Sequence, residues 1–117
     1  MPSFSPSLGP VMTTALMVQA AMAMANRSLV SCVLIRRGEH DNGAVLVRLD
    51  HPDGSASLES RVLNFDGGYN WTVVMGDPPC PAADVDARIE KELSFDPDCW
   101  VLAIDSAVGD NPLKTME

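Results

Sequence analysis

Basic residues are scarce in this sequence. Only 8 Lys and Arg stand against 16 Asp and Glu, and the formal net charge is −8. Proteins that bind nucleic acid rely on Lys and Arg to neutralise phosphates and release counterions, and a strongly acidic chain repels that backbone. The composition therefore predicts an acidic protein that does not bind nucleic acid.

Cysteine is also scarce. The three residues Cys32, Cys80 and Cys99 are odd in number and show no C-x-x-C spacing, whereas a small secreted chain usually carries an even disulfide framework. The uncharged stretch 8–25 resembles an export signal or a membrane span. However, an export signal begins with basic residues, and no Lys or Arg precedes Arg27. Thr, Gln and many Ala also make the stretch less hydrophobic than a membrane span. We therefore expect a cytoplasmic protein that does not bind membranes.

Aromatic residues make up only 5% of the chain, while hydrophobic residues of all types reach 46%. Aliphatic side chains and Met must therefore supply most of the core. A length of 117 residues is close to the commonest size of one domain. Ser and Pro in residues 1–9 indicate a flexible lead-in, so we predict a single domain over residues 10–105 and a C-terminal tail over residues 106–117.

The sequence lacks the motifs that indicate a cofactor or a common catalytic site. It contains no G-x-G-x-x-G, phosphate-loop, H-E-x-x-H or G-x-S-x-G pattern. His40 and His51 lie at opposite ends of a predicted strand of about seven residues at ~3.3 Å each, which is too far for them to share one ion. We therefore predict no catalytic residue, no metal site and no cofactor, which favours a non-enzymatic protein and leaves enzyme activity open.

Hydrophobic periodicity divides the chain into two helices and five strands. An uncharged Ala and Met run predicts the first helix from residue 10 to about residue 26, and apolar residues every four positions predict the second over residues 82–95. Apolar runs bounded by Gly, Pro, Asn and Asp predict strands over residues 29–37, 44–50, 55–65, 69–75 and 99–105. Three prolines within residues 76–81 predict a break in the sheet.

Short turns between the first four strands predict an antiparallel meander. The predicted fold class is α+β, with an antiparallel sheet of about five strands, the element order α-β-β-β-β-α-β, and both helices packed on one face. If the first two strands form a hairpin, the packed face collects Val30, Cys32, Leu34, Val45, Val47 and Leu49, joined by Leu58 and Val62. The opposite, more open face collects Arg37, Arg48 and Asp50, with Glu59 and Arg61 as neighbours.

Two stretches of the sequence resemble a known family. They are RRGEHDNGAVLVRL, residues 36–49, and DPDCWVLAID, residues 96–105. Both are similar to segments of small bacterial proteins grouped as domain of unknown function 1491. Members of this family share a hairpin with an R-R-G motif, an acidic loop and a G-A motif. They also share a strand with a D-P-D motif followed by an apolar residue and a W-V motif. The resemblance covers roughly residues 12–113 and implies a cytoplasmic bacterial protein. No catalytic residue is implied, because none is established for the family.

Arginines are the main candidates for ligand binding. In the predicted sheet, Arg37, Arg48 and Arg61 fall on three consecutive strands of an otherwise acidic protein. Guanidinium groups bind anions and carboxylates in a bidentate manner, so the cluster would suit a small anionic ligand. The alternative is a solvated sheet face on which Glu59 and Asp50 pair with these arginines.

Cys80 is the candidate reactive thiol. It lies in Pro78-Pro79-Cys80-Pro81, immediately before the second predicted helix, whose dipole would favour a thiolate. Nearby acidic residues oppose that effect. Cys32 and Cys99 are more simply explained as buried strand residues.

The first predicted helix is apolar over most of its circumference, whereas a helix resting on one sheet needs an apolar stripe of only ~100° or a little more. The excess apolar surface predicts a homodimer through this helix, with an oligomer surface at Met12, Leu16, Met17 and Met24. The alternative is that the third and fourth strands curl around the helix and cover it.

These observations favour a small uncharacterised protein that acts as a non-enzymatic interaction or regulatory module with a protein partner. The alternative is a binder or enzyme that acts on a small anionic ligand through Arg37, Arg48 and Arg61. A concave pocket lined by the three arginines would favour the alternative, whereas a flat apolar contact would favour the module.

Overall fold

The computed structural model describes residues 13–63, 66, 69–105, 111 and 113 of the chain. Within them two helices and five strands follow one another in the predicted order, and the α+β class is confirmed. The elements are α1 (Thr14–Arg27), β1 (Cys32–Arg36), β2 (Val45–Asp50), β3 (Ser55–Leu63), β4 (Tyr69–Pro81), α2 (Ala82–Phe95) and β5 (Trp100–Asp105).

The five strands form one mixed sheet in the order β1-β5-β2-β3-β4. The prediction of a purely antiparallel sheet is wrong, because β5 pairs in parallel with β2. The predicted hairpin between β1 and β2 does not form either, since β5 lies between them. The side chains of Trp100 to Ile104 are all buried, and a strand that is apolar on both faces is best accommodated in the middle of a sheet.

The two helices lie on opposite faces of the sheet, which corrects the prediction that both pack on one face. On one face, Met17, Val18 and Ala21 of α1 share a core cluster with Val45 and Leu102. On the other, Val85 and Ile89 of α2 share a second cluster with Leu46, Leu58 and Val101. Because β2 and β5 bear apolar side chains on both sides, each face of the sheet needs its own helix.

The register between β2 and β3 decides which β3 residues face each helix. Val45 pairs with Arg61, Val47 with Glu59, and Arg48 with Leu58. Glu59 and Arg61 therefore face α1, and Leu58 faces α2, opposite to the prediction. The reason is the length of the turn. The predicted strands leave four residues between them, whereas five residues separate the paired Asp50 and Ala56. One additional residue in the turn moves every β3 side chain to the other face of the sheet.

β4 is longer than predicted, because the sheet continues through the proline-rich segment. Gly76 has a φ of +91°, a conformation that glycine adopts without strain, and a Cβ at this position would lie 2.5 Å from Ser57 Cα. The ladder is irregular there and resumes with Cys80 opposite Ala56. The glycine thus allows a bulge where the sequence predicts the end of the strand.

α1 begins at Thr14, later than the predicted residue 10. The Thr13 hydroxyl accepts a hydrogen bond from the amide of Leu16 and caps the helix. The amides of Thr14 and Ala15 donate to the carbonyls of Asp41 and His40, so the loop before β2 satisfies the first turn of α1. Neither described helix is long and apolar enough to span a membrane.

The packed part of the chain extends beyond the predicted domain boundary at residue 105. Leu113 is only 1% exposed and belongs to the core cluster under α1. Asn111 is also buried, and its side-chain amide donates to Glu59 Oε1 at 3.0 Å. The predicted lead-in over residues 1–9 lies outside the described residues.

Candidate functional site

The three candidate arginines do not form one cluster, which corrects the predicted anion site. Arg61 lies on the α1 face, 4% exposed, with its Cζ 3.4 Å from the centroid of the Tyr69 ring. Arg48 lies on the α2 face and is bound by Asp50 and Asp86. Arg37 is exposed just beyond β1, with its Cζ 5.3 Å from the centroid of Trp100.

Arg48 is held by carboxylates of this chain. Burial alone would lower its pKa, but the hydrogen bonds and charges of Asp86 and Asp50 outweigh that effect and raise the pKa. Since the register places Arg48 and Arg61 on opposite faces of the sheet, no ligand can contact both. A pocket formed by all three arginines is therefore excluded by the geometry.

The candidate thiol Cys80 lies in β4, half-buried against the cluster under α2, with its Sγ 3.8 Å from the carbonyl oxygen of Ala56. Burial raises the pKa of Cys32. Burial, together with the carboxylates of Asp96 and Glu92, raises the pKa of Cys99 to about 12. Within the described ranges, no group of three or more His, Cys, Asp or Glu side chains is placed to hold a metal ion.

The two segments that carry the family resemblance meet in space. The amide of Glu39 donates to the carbonyl of Asp98 at 2.9 Å, and Trp100 Nε1 donates to the carbonyl of Glu39 at 2.7 Å. Gly38 and Gly43 pack so closely on the Asp98 carbonyl that neither has room for a Cβ. These contacts fix the loop against the start of β5, so the shared motif is explained by folding.

The predicted oligomer residues are divided between the core and the surface. Met17 is 2% exposed and packs in the core, so it cannot line an oligomer surface, which corrects that part of the prediction. Leu16 and Met24 are 51% and 44% exposed. Met12 lies outside the described residues.

The candidate site of the fold is the free edge of β1, which the sequence-based reasoning missed. In the described part of the chain β1 has one strand neighbour, β5, on one side only. Its side chains Val33 and Ile35 point to the α2 side of the sheet and are 49% and 55% exposed. Residues 29–35 carry no charge. This uncharged run was the feature of the sequence from which the exposed apolar edge could have been predicted.

A groove of about 270 Å³ lies beside this edge on the α2 side. Its apolar floor and wall are formed by Ile35, Ile89 and Val101, and Asp86 and Glu90 form part of its polar rim. On the α1 side, a shallower concavity of about 530 Å³ runs between Met22, Ala23 and Asn26 of the helix and residues 30–32. The edge of β1 is thus flanked by hollows on both faces of the sheet.

Comparisons with known proteins agree with the resemblance seen in the sequence. A family model for a protein of unknown function (DUF1491) matches residues 12–114. The crystal structure of a DUF1491 family protein from Caulobacter crescentus CB15 shares 30% identity over 82% of this chain and 89% of that chain, with a TM-score of 0.70. An NMR structure of a DUF1491 family protein from the same organism also shares 30% identity, over 87% and 92%, with a TM-score of 0.74.

The fold recurs at lower identity. The solution structure of a protein from A. tumefaciens is 18% identical over 81% of this chain and 86% of that chain, with a TM-score of 0.70. No curated protein matches the chain.

Proposed function

The chain belongs to the DUF1491 family, whose description assigns no activity, and we propose that it is a non-enzymatic interaction module that binds an extended apolar segment of a partner protein along the edge of β1. The observation that carries this proposal is the free, uncharged, apolar edge formed by residues 29–35. A partner strand would add to the sheet through main-chain hydrogen bonds, a known mode of peptide recognition.

The two edges of the sheet differ in a way that supports this proposal. β4, at the opposite edge, carries Asp77 and three prolines, which are residues that protect an edge from pairing with another chain. β1 has neither a proline nor a charge before Arg36. An unprotected apolar edge is an aggregation hazard, so its retention is best explained by a partner that covers it.

The groove on the α2 side defines the chemistry of the bound segment. Alternate residues of an added strand would point to this side, next to Val33 and Ile35 and toward Ile89. An aliphatic side chain would fill the apolar part of the groove. Because Arg48 is already paired with Asp86 and Asp50, the rim does not supply a free arginine for an anionic ligand, and the small-anion alternative is not retained.

The end of the edge adds a charge requirement. Arg36 donates to the carbonyl of Pro97 at 2.9 Å, and Arg37 lies over Trp100, so both cations are held near the C-terminal end of β1. Both residues are exposed. A segment with an apolar centre and a carboxylate at the end that meets Arg36 would therefore fit best.

We also propose a cytoplasmic location. The three cysteines are not bonded to one another, and two of them, Cys32 and Cys80, are only half-buried. Thiols that remain reduced are typical of a compartment kept reducing by glutathione and thioredoxin.

Site-specific photocrosslinking tests the proposed binding edge. A benzophenone amino acid is placed at Ile35, or as a control at Val73, which is 45% exposed on the opposite edge strand. Crosslinks in cells should join position 35, but not position 73, to one segment of another protein. A synthetic peptide of that segment should then slow hydrogen exchange of the β1 amides, and Ile35→Lys should abolish the effect while Val73→Lys preserves it.

Two outcomes would overturn the proposal. One is the same set of crosslinked proteins from positions 35 and 73, which would indicate nonspecific contact. The other is a crosslinked segment whose peptide leaves exchange of the β1 amides unchanged. Circular dichroism of each variant establishes that the comparison is made between folded proteins.

A further inference from the structure

The outer face of α1 lacks the charges that a solvent-facing helix normally carries. Its buried side consists of Thr14, Ala15, Met17, Val18, Ala21 and Ala25. The opposite side presents Leu16, Gln19, Ala20, Ala23 and Met24, and no charged residue occurs between Thr13 and Asn26. In contrast, the exposed side of α2 carries Asp84, Asp86, Glu90 and Lys91.

The sizes of the side chains on the α1 outer face suit contact with an identical helix. Ala20 lies midway along the helix between the larger Leu16 and Met24, which are 51% and 44% exposed, and Ala23 lies next to Met24. In an antiparallel pair of helices with a two-fold axis near Ala20, Leu16 of one copy lies opposite Met24 of the other. A small residue of each copy at the crossing point, with a large one on either side of it, makes this surface self-complementary.

Charges at the two ends of α1 are complementary in the same arrangement. Arg27 ends the helix, about 10 Å along the axis from Ala20 at 1.5 Å per residue. At the other end, about 8–9 Å from Ala20, the amides of Thr14 and Ala15 bind the loop that bears the exposed carboxylate of Asp41. The antiparallel pair would bring Arg27 of each copy near Asp41 of the other.

We infer that a second copy of this chain covers the α1 outer face, so that the protein is a two-fold dimer held by an antiparallel pair of α1 helices. The contact buries uncharged surface, which keeps most of the 16 acidic side chains of each copy away from the interface. Met17 does not contribute, because it points into the core of its own chain. The inference goes beyond the proposed function, since the main-chain edge of β1 and the groove on its α2 side are not part of the α1 contact; only Ala23 also borders the hollow on the α1 side of that edge.

Sedimentation equilibrium of the full chain tests this inference. The wild-type protein should approach twice the monomer mass of 12.5 kDa as its concentration rises. Ala23→Glu should weaken the dimer by more than about ten-fold in dissociation constant, because it adds a carboxylate to the uncharged contact on each side of the two-fold axis. The matched control is Ala87→Glu, the same substitution at an exposed position of α2, and it should leave the dimer intact.

A charge exchange tests the antiparallel orientation. Arg27→Glu and Asp41→Arg should each weaken association, and the double variant should restore it, because the complementary pair forms again with its signs reversed. A wild-type chain that remains a 12.5 kDa monomer up to its solubility limit would overturn the inference. A dimer that Ala23→Glu does not weaken, in a protein whose melting curve shows that it is folded, would overturn it as well.

Discussion

Arg61 on β3 and Arg88 on α2 differ in how deeply they are buried. Arg61 is 4% exposed, stacks on Tyr69, and lies on the same face as the buried Glu59. Arg88, on α2, is partly exposed and pairs with Glu92 one turn later. Loss of a buried cation removes its stacking and leaves nearby buried charge less well compensated, whereas an exposed pair contributes little.

Arg61→Ala should therefore lower the free energy of unfolding by about 2–4 kcal/mol. Arg88→Ala, the matched control, should change it by less than about 1 kcal/mol. Urea titration followed by circular dichroism measures both. Equal and small losses for the two variants would contradict the burial of Arg61 and would support a solvated sheet face instead.

The cysteines should differ in reactivity. Because the pKa of Cys99 is raised to about 12, its thiol stays protonated at neutral and mildly basic pH and becomes a thiolate only as the pH approaches that value. Cys99 is also 5% exposed. We expect iodoacetamide at about pH 8 to modify Cys80 first and Cys99 last.

Peptide mass spectrometry of timed samples measures this order. The urea-unfolded protein is the control, and its three cysteines should react at similar rates. Modification of Cys99 in the folded protein as fast as Cys80 would contradict the expectation.

At the scale of the elements, the loop between β1 and β2 connects α1 to β5. A Cβ at Gly38 would lie 2.6 Å from Trp100 Cδ1 and 2.7 Å from the Cys99 carbonyl carbon. The loop cannot move away readily, because the amide of Glu39 and the side chain of Trp100 hold it. The glycine in the R-R-G motif is thus required by close packing of backbone on backbone.

Gly38→Ala should cost about 3 kcal/mol of stability. The control is Gly54→Ala, where φ is +87° and no atom lies within 4 Å of the added Cβ, so that only the backbone strain of about 1 kcal/mol applies. Thermal melts of both variants test the difference. A smaller loss at Gly38 than at Gly54 would show that the loop can relax away from β5.

The helices and strands were predictable from local patterns, but their pairing was not. The four-residue spacing of Val85, Ile89 and Leu93 gave the bounds of α2, and each strand was found within a few residues of its observed position except for the end of β4. The polar loop between β1 and β2 has the composition of a hairpin, yet it binds α1 and Asp98 instead. Long-range insertion of β5 depends on tertiary packing, which a local pattern does not encode.

The candidate site was predictable only in part. Leu16 and Met24 were identified from the excess of apolar residues in α1, and both are exposed. The edge at Val33 and Ile35 was missed, because the predicted hairpin paired β1 with β2. In that arrangement nothing distinguished β1 as a strand with an exposed apolar edge. The arginine cluster was wrong because one additional turn residue moved Arg61 to the other face of the sheet.

At the scale of the whole molecule, the sheet has both faces covered by helices and two unlike edges. Apolar surface remains exposed at the edge of β1 and on the outer face of α1, and these two surfaces carry the two proposals. The α1 contact leaves the main-chain edge of β1 and the groove on its α2 side uncovered, so a dimer through α1 has two β1 edges that can bind partner segments. Two linked sites of this kind would bind a multivalent partner more tightly than either alone.

The folded unit should require the chain beyond the predicted boundary at residue 105. Leu113 is 1% exposed in the core under α1, and Asn111 donates to the buried Glu59. Leu113→Ala should cost about 2–5 kcal/mol, and Leu29→Ala, at a position that is 94% exposed, should stay within about 0.5 kcal/mol.

Truncation after Asp105 should lower stability further than Leu113→Ala does. It removes the Leu113 side chain from the core and also removes the hydrogen bond from Asn111 to Glu59, and a hydrogen bond of this kind contributes about 0.5–1.5 kcal/mol in addition. Together these losses approach the total stability of a typical domain, about 5–15 kcal/mol, so the truncated chain should be largely unfolded at 37 °C by circular dichroism. A truncated protein that melts at the wild-type temperature would instead support a domain that ends at residue 105, with a tail that contributes nothing to the core.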